Sequence, residues 1–282
     1  MFGLWAAAFA ALAPAAWAQT SITIPANPIP VVDATINGQP VRLEIDLRAP
    51  DVLLLNPATA DRLHVLRLFG LRLSIDNGAS IQGRLARPRI VFAQNQASQK
   101  FAGIFAIPVT SRADGVIGPG VLPQDVVTIA MRPDEANAHD IVLPLANGDH
   151  WQSHATVGGL DLNLGFNLGS EESVFNTTAA HTFDDQGAIT SNGALVDREV
   201  ILGLTAKVQP VHTGLTALGL PLDTALARTS EPLHGALDND TIVVTAHAPP
   251  PPSMSLGRAA LAHCSSIIFI RRTRQLTLRC AA

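Results

Sequence analysis

The sequence predicts an all-β protein built as two similar lobes, and three observations predict it. The chain is apolar and weakly charged: 47% of its 282 residues are hydrophobic, 15% are charged, and it carries 20 Pro and 21 Gly. That composition suits many short strands and turns, and no long helix braced by i,i+4 ion pairs is visible. The clearest segments alternate apolar and polar residues with period two. The second half of the chain also repeats features of the first at a constant offset. The length is enough to bury a sizeable core in one large domain or two of ordinary size.

The first segment, MFGLWAAAFAALAPAAWAQT, reads as a targeting sequence. Its apolar run has signal-peptide length and ends in Ala16-Trp17-Ala18, an A-x-A cleavage pattern, although the terminal amine is its only positive charge. The run is shorter than the ~20 residues needed to span a bilayer, and no other stretch is apolar enough. The expectation is a signal peptide at 1–18, export to the periplasm or medium, and no stable membrane span after cleavage. An uncleaved anchor is the alternative.

Residues 41–55, VRLEIDLRAPDVLLL, open the first lobe's main motif. Val41, Leu43 and Ile45 alternate with Arg42 and Glu44, the pattern of a half-buried strand. The alternation stops at Asp46, and a second apolar run, Val52–Leu55, follows. A carboxylate between two buried strands is costly unless it is hydrogen-bonded or has a chemical role. Further on, SIDNGASIQG (74–83) reads as a hairpin turning at Asn77-Gly78. The charged, Pro-bearing stretch 132–150 reads as a junction, with lobes at 19–140 and 141–282.

The repeat is gapless where it is strongest. ATINGQPVRLEIDLRA (34–49) aligns with ATVGGLDLNLGFNLGS (155–170), pairing Ala34 with Ala155, Gly38 with Gly159, Leu43 with Leu164, Asp46 with Asn167 and Leu47 with Leu168. Each copy reads as strand, glycine turn, strand and a polar residue at the strand end, then an apolar run and a short Ala-containing helix. The halves also close alike. DGVIGPGVLPQDVVTIA (114–130) and MSLGRAALAHCSSIIFI (254–270) share an apolar residue before Gly118 or Gly257, a leucine four residues on, and an apolar strand. The proline run 249–252 reads as an extended surface loop.

The chain ends in a predicted hairpin: strand 265–270, turn Arg271–Arg274, strand 275–279. Cys264 and Cys280, the two cysteines, flank it almost opposite each other, and export makes a disulfide the expected state. Two buried free thiols are the alternative.

These motifs resemble the aspartic proteases of the retropepsin and pepsin kind, and more closely the exported bacterial proteins with two such lobes. The layout NG-x-P-V, the apolar-x-apolar strand ending in Asp46, the apolar pair before Gly118, and the closing RRTRQLTLRC carry the resemblance. It covers most of residues 28–282 and is strongest at the four segments just quoted. It implies two pseudo-symmetric β-barrel lobes with a cleft between them, each lobe supplying one Asp-Thr/Ser-Gly loop to the cleft floor. Asp46 and Asn167 stand where the two catalytic aspartates would be.

The sequence departs from that motif in ways that bear on chemistry. The loops read Asp46-Leu47-Arg48 and Asn167-Leu168-Gly169. The family's mechanism needs two carboxylates sharing one proton, and an amide at 167 does not titrate in the useful range. Leu47 and Leu168 replace the hydroxyls that brace the loops. Arg48 replaces a glycine and places a guanidinium two residues from Asp46, where it can form an ion pair unsuited to a shared proton. The chain contains no Tyr, so a flap tyrosine is excluded.

Other chemistries find less support. The formal net charge of −4, without a basic run, argues against nucleic-acid binding. There is no Gly-x-Ser-x-Gly elbow, and Ser170 lacks a positioned histidine in the sequence. His150 and His154, with Asp149, have metal-like spacing but lie at the junction, so no metal and no cofactor are expected. Asp184-Asp185 reads as a polar turn, Asn176 as a helix cap, and Arg271, Arg272 and Arg274 as an exposed hairpin turn.

The reading is an exported, catalytically impaired aspartic-protease-like protein that binds an extended peptide or protein partner between its lobes. The alternatives are a working endopeptidase that pairs Asp46 with another acid, and a structural or assembly protein whose cleft is unused.

Overall fold

The computed structural model describes residues 20–281 apart from 75–78, 94–95, 99, 146–151, 202–203, 230–241 and 245–248. The targeting segment and the Asn77-Gly78 turn therefore lie outside the described residues. The protein is all-β, with twenty-three strands, two short α-helices and one 3-10 turn (Pro119–Val121) among the described residues.

The first half begins with β1 (Ser21–Pro25), then a hairpin of β2 (Val31–Ile36) and β3 (Gln39–Ile45). Asn37 and Gly38 form its two-residue turn, both at positive φ, 51° and 81°. Positive φ at both positions suits the twist of the flanking strands, and Asn-Gly adopts it cheaply. After β4 (Leu53–Leu55) and α1 (Pro57–Arg62) comes a second hairpin, β5 (Phe69–Ser74) and β6 (Ala79–Ala86). Then follow β7 (Ile90–Phe92), β8 (Ala97–Ser98), β9 (Ala102–Phe105), β10 (Gly115–Ile117) and β11 (Val126–Ala130). The second half runs β12 (His139–Pro144), β13 (Ser153–Val157), β14 (Leu160–Phe166), β15 (Ser173–Phe175), α2 (Thr177–Asp185), β16 (Ile189–Ser191), β17 (Val196–Ile201), β18 (Leu204–Ala217), β19 (Leu220–Arg228), β20 (Ile242–Val244), β21 (Ser253–Leu256), β22 (Cys264–Ile270) and β23 (Gln275–Cys280).

The two halves share one wiring. In the first, β10 is inserted between β3, to which it is parallel, and β4, to which it is antiparallel. In the second, β21 is inserted in the same way between β14 and β15. Next to these, β9 lies parallel to β4 and antiparallel to β6, as β19 lies parallel to β15 and antiparallel to β18. The β13–β14 turn, Gly158-Gly159, also has positive φ at both positions. Asn56 and Asn176 precede the two helices, and each ties its helix to the chain entering the inserted strand. Asn56 accepts from Val109 N and donates to Ala113 O, while Asn176 accepts from Ser253 N and donates to Pro251 O.

A five-stranded sheet, β1-β11-β22-β23-β12, joins the lobes. Its central seam pairs the first half with the second, β11 against β22, from Val126↔Ile270 to Ala130↔Ser266. The expected closing hairpin forms, and the Cys264–Cys280 disulfide joins its open end.

The readings of Asp184-Asp185 and of Arg271 are corrected, while the junction stretch gains a strand and the proline run is the expected extended, partly exposed loop. The junction stretch 132–150 contains β12, a full strand paired with β23 from His139↔Cys280 to Pro144↔Gln275. Asp184 and Asp185 are not a turn but the end of α2, and the reversal comes at Gly187, with φ 66°. Arg271 is not a free turn residue: its guanidinium donates to the carbonyls of Gly120, Leu122 and Gln124, fastening the loop after β10 to the sheet. The proline run lies along the start of α2, where Thr178 donates to Pro250 O.

Candidate functional site

The site is formed by two loops that leave equivalent strands. Asp46 follows β3 and Asn167 follows β14. Asp46 N–H donates to Ile117 O on β10 at 3.0 Å, and Asn167 N–H donates to Leu256 O on β21 at 2.8 Å. Each side chain then caps its own loop. Asp46 Oδ1 accepts from the Arg48 amide at 2.9 Å, and Asn167 Oδ1 accepts from the Gly169 amide at 3.0 Å. Gly118 and Gly257 follow the strand ends that receive these bonds. A Cβ at Gly118 would collide with the carbonyl oxygens of Ala49 and Pro50, and one at Gly257 with those of Glu171 and Glu172. Only glycine lets each loop lie so close to the inserted strand.

The residues flanking the two polar positions differ sharply between the lobes. Arg48 Nε donates to Asp46 Oδ1 at 3.1 Å and Nη2 donates to Oδ2 at 2.9 Å, a two-point ion pair. Both side chains are largely enclosed, 16% and 12% exposed. The Arg48 stem reaches across to β14, with Cγ 3.8 Å from where a Gly165 Cβ would sit. The corresponding residue after Asn167 is Gly169, so this loop supplies no cation of its own; the Arg258 guanidinium instead donates to Leu168 O. Leu47 and Leu168 are both buried in the main apolar core, at 1% and 4% exposure. They hold the loops by packing, where hydroxyls would hold them by hydrogen bonds.

A second charged group, absent from the sequence reading, stands beside the first. The alternation put Glu44 on the solvent face of β3, yet it is 3% exposed. Thr110 Oγ1 donates to Glu44 Oε2 at 2.6 Å, and the Arg112 guanidinium donates to both Glu44 oxygens. Arg112 in turn lies over the loop of the other lobe: its Nη2 is 2.8 Å from where a Gly169 Cβ would sit. Above all the Glu44 hydrogen bond, and then the charges of Glu44, Glu199 and Asp46, raise its pKa above the ordinary arginine value, so it is a fixed cation. The signal for Glu44 was the two-residue spacing itself, since Glu44 and Asp46 point to the same side of the strand. It was hidden because that side meets the opposite lobe.

The lobes also meet through apolar contact. One cluster of buried residues holds Ala49, Leu54 and Phe105 from the first half with Val174, Ala206 and Leu226 from the second. Among the described residues, no group of three or more His, Cys, Asp or Glu is placed to hold a metal ion. His154 is exposed on β13, and His150 and Asp149 lie outside the described residues. Ser170 Oγ donates to Glu172 O, a turn contact. No helix among the described residues is long and apolar enough to cross a membrane.

No protein-family model matches the chain, and no curated protein matches it. Among solved structures it is similar to the crystal structure of an aspartic proteinase from Irpex lacteus, with 9% identity and a TM-score of 0.45, over 90% of this chain and 94% of that one.

Proposed function

We propose that the protein is an exported, non-hydrolytic relative of aspartic proteases, with lobes at 19–140 and 141–282, that holds an extended peptide or protein segment between them by main-chain pairing. The observation that carries the non-hydrolytic part is the state of the two loop residues. Both Asp46 oxygens are engaged by Arg48, and the equivalent residue of the other lobe is an amide. Acid-pair hydrolysis needs one carboxylate to activate water while its protonated partner polarises the peptide carbonyl. Asn167 cannot exchange that proton, and Asp46 is already tied to a cation. Glu44, the acid on the same strand face, is bound by Thr110 and Arg112, so it is not free to serve as the missing partner. The A-x-A pattern at 16–18 and the disulfide support export.

A second reading, an assembly protein that never uses its cleft, is favoured by the apolar cluster shared between the lobes. The test is incubation with an unfolded protein substrate from pH 3 to pH 7, with and without pepstatin, alongside Asp46→Ala. No pepstatin-sensitive cleavage is expected from either form. Wild-type cleavage abolished by Asp46→Ala would overturn the proposal. Binding of extended peptides then separates the peptide-holding reading from the assembly reading.

A further inference from the structure

The lobes treat one equivalent position differently. The spacing of Gly118, Leu122 and Arg132 recurs in Gly257, Leu261 and Arg271, and β11 pairs with β22, so Arg132 after β11 and Arg271 after β22 are counterparts. The Arg271 guanidinium donates to Gly120 O, Leu122 O and Gln124 O. Leu122 O is open to it because the Asp125 N–H turns to Thr20 O. The loop after β21 uses the matching carbonyls itself. Cys264 N–H donates to Leu261 O at 2.9 Å, and Ala281 N–H donates to His263 O at 2.8 Å. Arg132 therefore lacks the acceptors that Arg271 finds. Its Nη2 lies 3.3 Å from Glu135 Oε1, and its Nε is buried with no acceptor among the described residues. A buried donor in this state is costly and calls for an acceptor from outside the chain.

Arg132 lines a cavity of about 240 Å³ with a second cation, Arg258, and an apolar wall of Met131, Leu168, Leu261 and Ala262. The two arginines are 31% and 30% exposed, so the cavity is reached from solvent. Arg258 donates to Leu168 O and to Glu171 Oε2. The carboxylates that face the two cations, Glu135 and Glu171, are 50% and 62% exposed. Ion pairs so exposed are weak enough for a bound anion to compete with them. We infer that this cavity binds a small carboxylate carrying a short apolar chain. The carboxylate accepts from Arg132 Nε, Arg258 adds charge, and the chain lies against Met131, Leu168 and Leu261. Two cations already half-balanced by glutamates suit a monoanion better than a phosphate dianion, and the apolar wall favours a ligand with a hydrocarbon part. The volume is just under the roughly 300–1,000 Å³ of pockets for drug-sized molecules, so the ligand is small. Neither Asp46 nor Asn167 lines the cavity, and the inference does not depend on the use of the cleft.

Calorimetric titration of the full mature chain tests this. Sodium hexanoate stands for a fatty-acid fragment and N-acetylleucine for the end of a peptide. Hexanamide is the neutral control, and acetate is the control without a chain. At least one of the two carboxylates should bind with a Kd of about 1 mM or tighter, and the one that does identifies the source. Hexanamide and acetate should bind at least about tenfold more weakly. Two variants locate the site. Arg132→Met removes the unpaired donor and only an exposed ion pair with it, so the fold is kept, and affinity should fall at least about tenfold. Ala262→Phe keeps both cations and fills the cavity from an exposed position, and should abolish binding. Failure of both carboxylates to bind would overturn the inference. So would equal binding of hexanamide, equal binding of acetate, or undiminished binding by either variant. Peptide holding in the cleft and the absence of hydrolysis are untouched by any of these results.

Discussion

Arg48 is bound to Asp46 by three hydrogen bonds, one from its amide and two from its guanidinium. The residue at the first lobe's polar position is thus satisfied within its own loop. An acid introduced at Asn167 alone is therefore not expected to make a working pair. Asn167→Asp is expected to give no pepstatin-sensitive cleavage between pH 3 and 7, and Arg48→Gly must accompany it before any appears. Because such residues act as a unit, the single changes should fall far short of the combination, as measured by turnover of a quenched peptide.

Adding the bracing hydroxyls carries a stability cost. Leu47 and Leu168 are core residues at 1% and 4% exposure. Leu47→Thr and Leu168→Thr each lose apolar burial and bury a hydroxyl, and should each cost about 2–4 kcal/mol in urea unfolding. A change of under about 0.5 kcal/mol at either position would contradict the packing described.

The Glu44–Arg112 pair should respond asymmetrically. Arg112→Met leaves a 3%-exposed carboxylate with Thr110 as its remaining partner, and should cost about 3 kcal/mol. Glu44→Gln keeps shape and the hydroxyl contact and leaves a partly exposed cation, and should cost about 1–2 kcal/mol. The double variant should be less destabilised than the sum of the two, which a denaturant cycle measures directly.

The disulfide closes a segment with a sequence separation of 16 residues and sits at the end of the shared sheet. Cys264→Ala with Cys280→Ala should lower stability by about 2–4 kcal/mol. Mass spectrometry of the unreduced protein after alkylation should find no free thiol. Two alkylated cysteines would refute the bond.

Asp134 predicts an acid limb. The Arg279 guanidinium first, and then the Ser265 hydroxyl, hold its carboxyl below the usual carboxylate range. A group depressed in the folded state stabilises above its unfolded value, about 3.9, and that contribution is lost as pH falls through the lower folded value. The stability gap between wild type and Asp134→Asn should therefore be constant above about pH 5 and close progressively below about pH 4. A gap that widens on acidification would reverse the sign.

Much of this was legible in the sequence because local patterns and tertiary structure agree. The Asn37-Gly38 and Gly158-Gly159 turns, the paired strands around Leu43 and Leu164, and the Cys264–Cys280 hairpin follow from period and turn chemistry alone. What stayed hidden depends on long-range contact. Alternation assigns Glu44 to solvent, and only Thr110 and Arg112, more than sixty residues on, make its burial tolerable. β12 reads as a charged junction because its outward residues are polar, and its partner β23 (Gln275–Cys280) lies far along the sequence from His139–Pro144. The pairing of β20 with β6 of the other lobe has no local signature, since three apolar residues fit any strand edge.

The β11–β22 seam has a consequence for how the chain comes into being. The sheet that carries both lobes cannot be finished until the last strands have been synthesised, because β22 and β23 fill the places between β11 and β12. A first half released early would offer the bare side of β11, from Val126 to Ala130, to whatever strand it met first. The two halves are thus obligate companions in folding: each expressed alone should self-associate through its own open side of the seam, β11 in the first half and β22 in the second, and mixing the two should restore a single heterodimeric species at the expense of both self-associated forms.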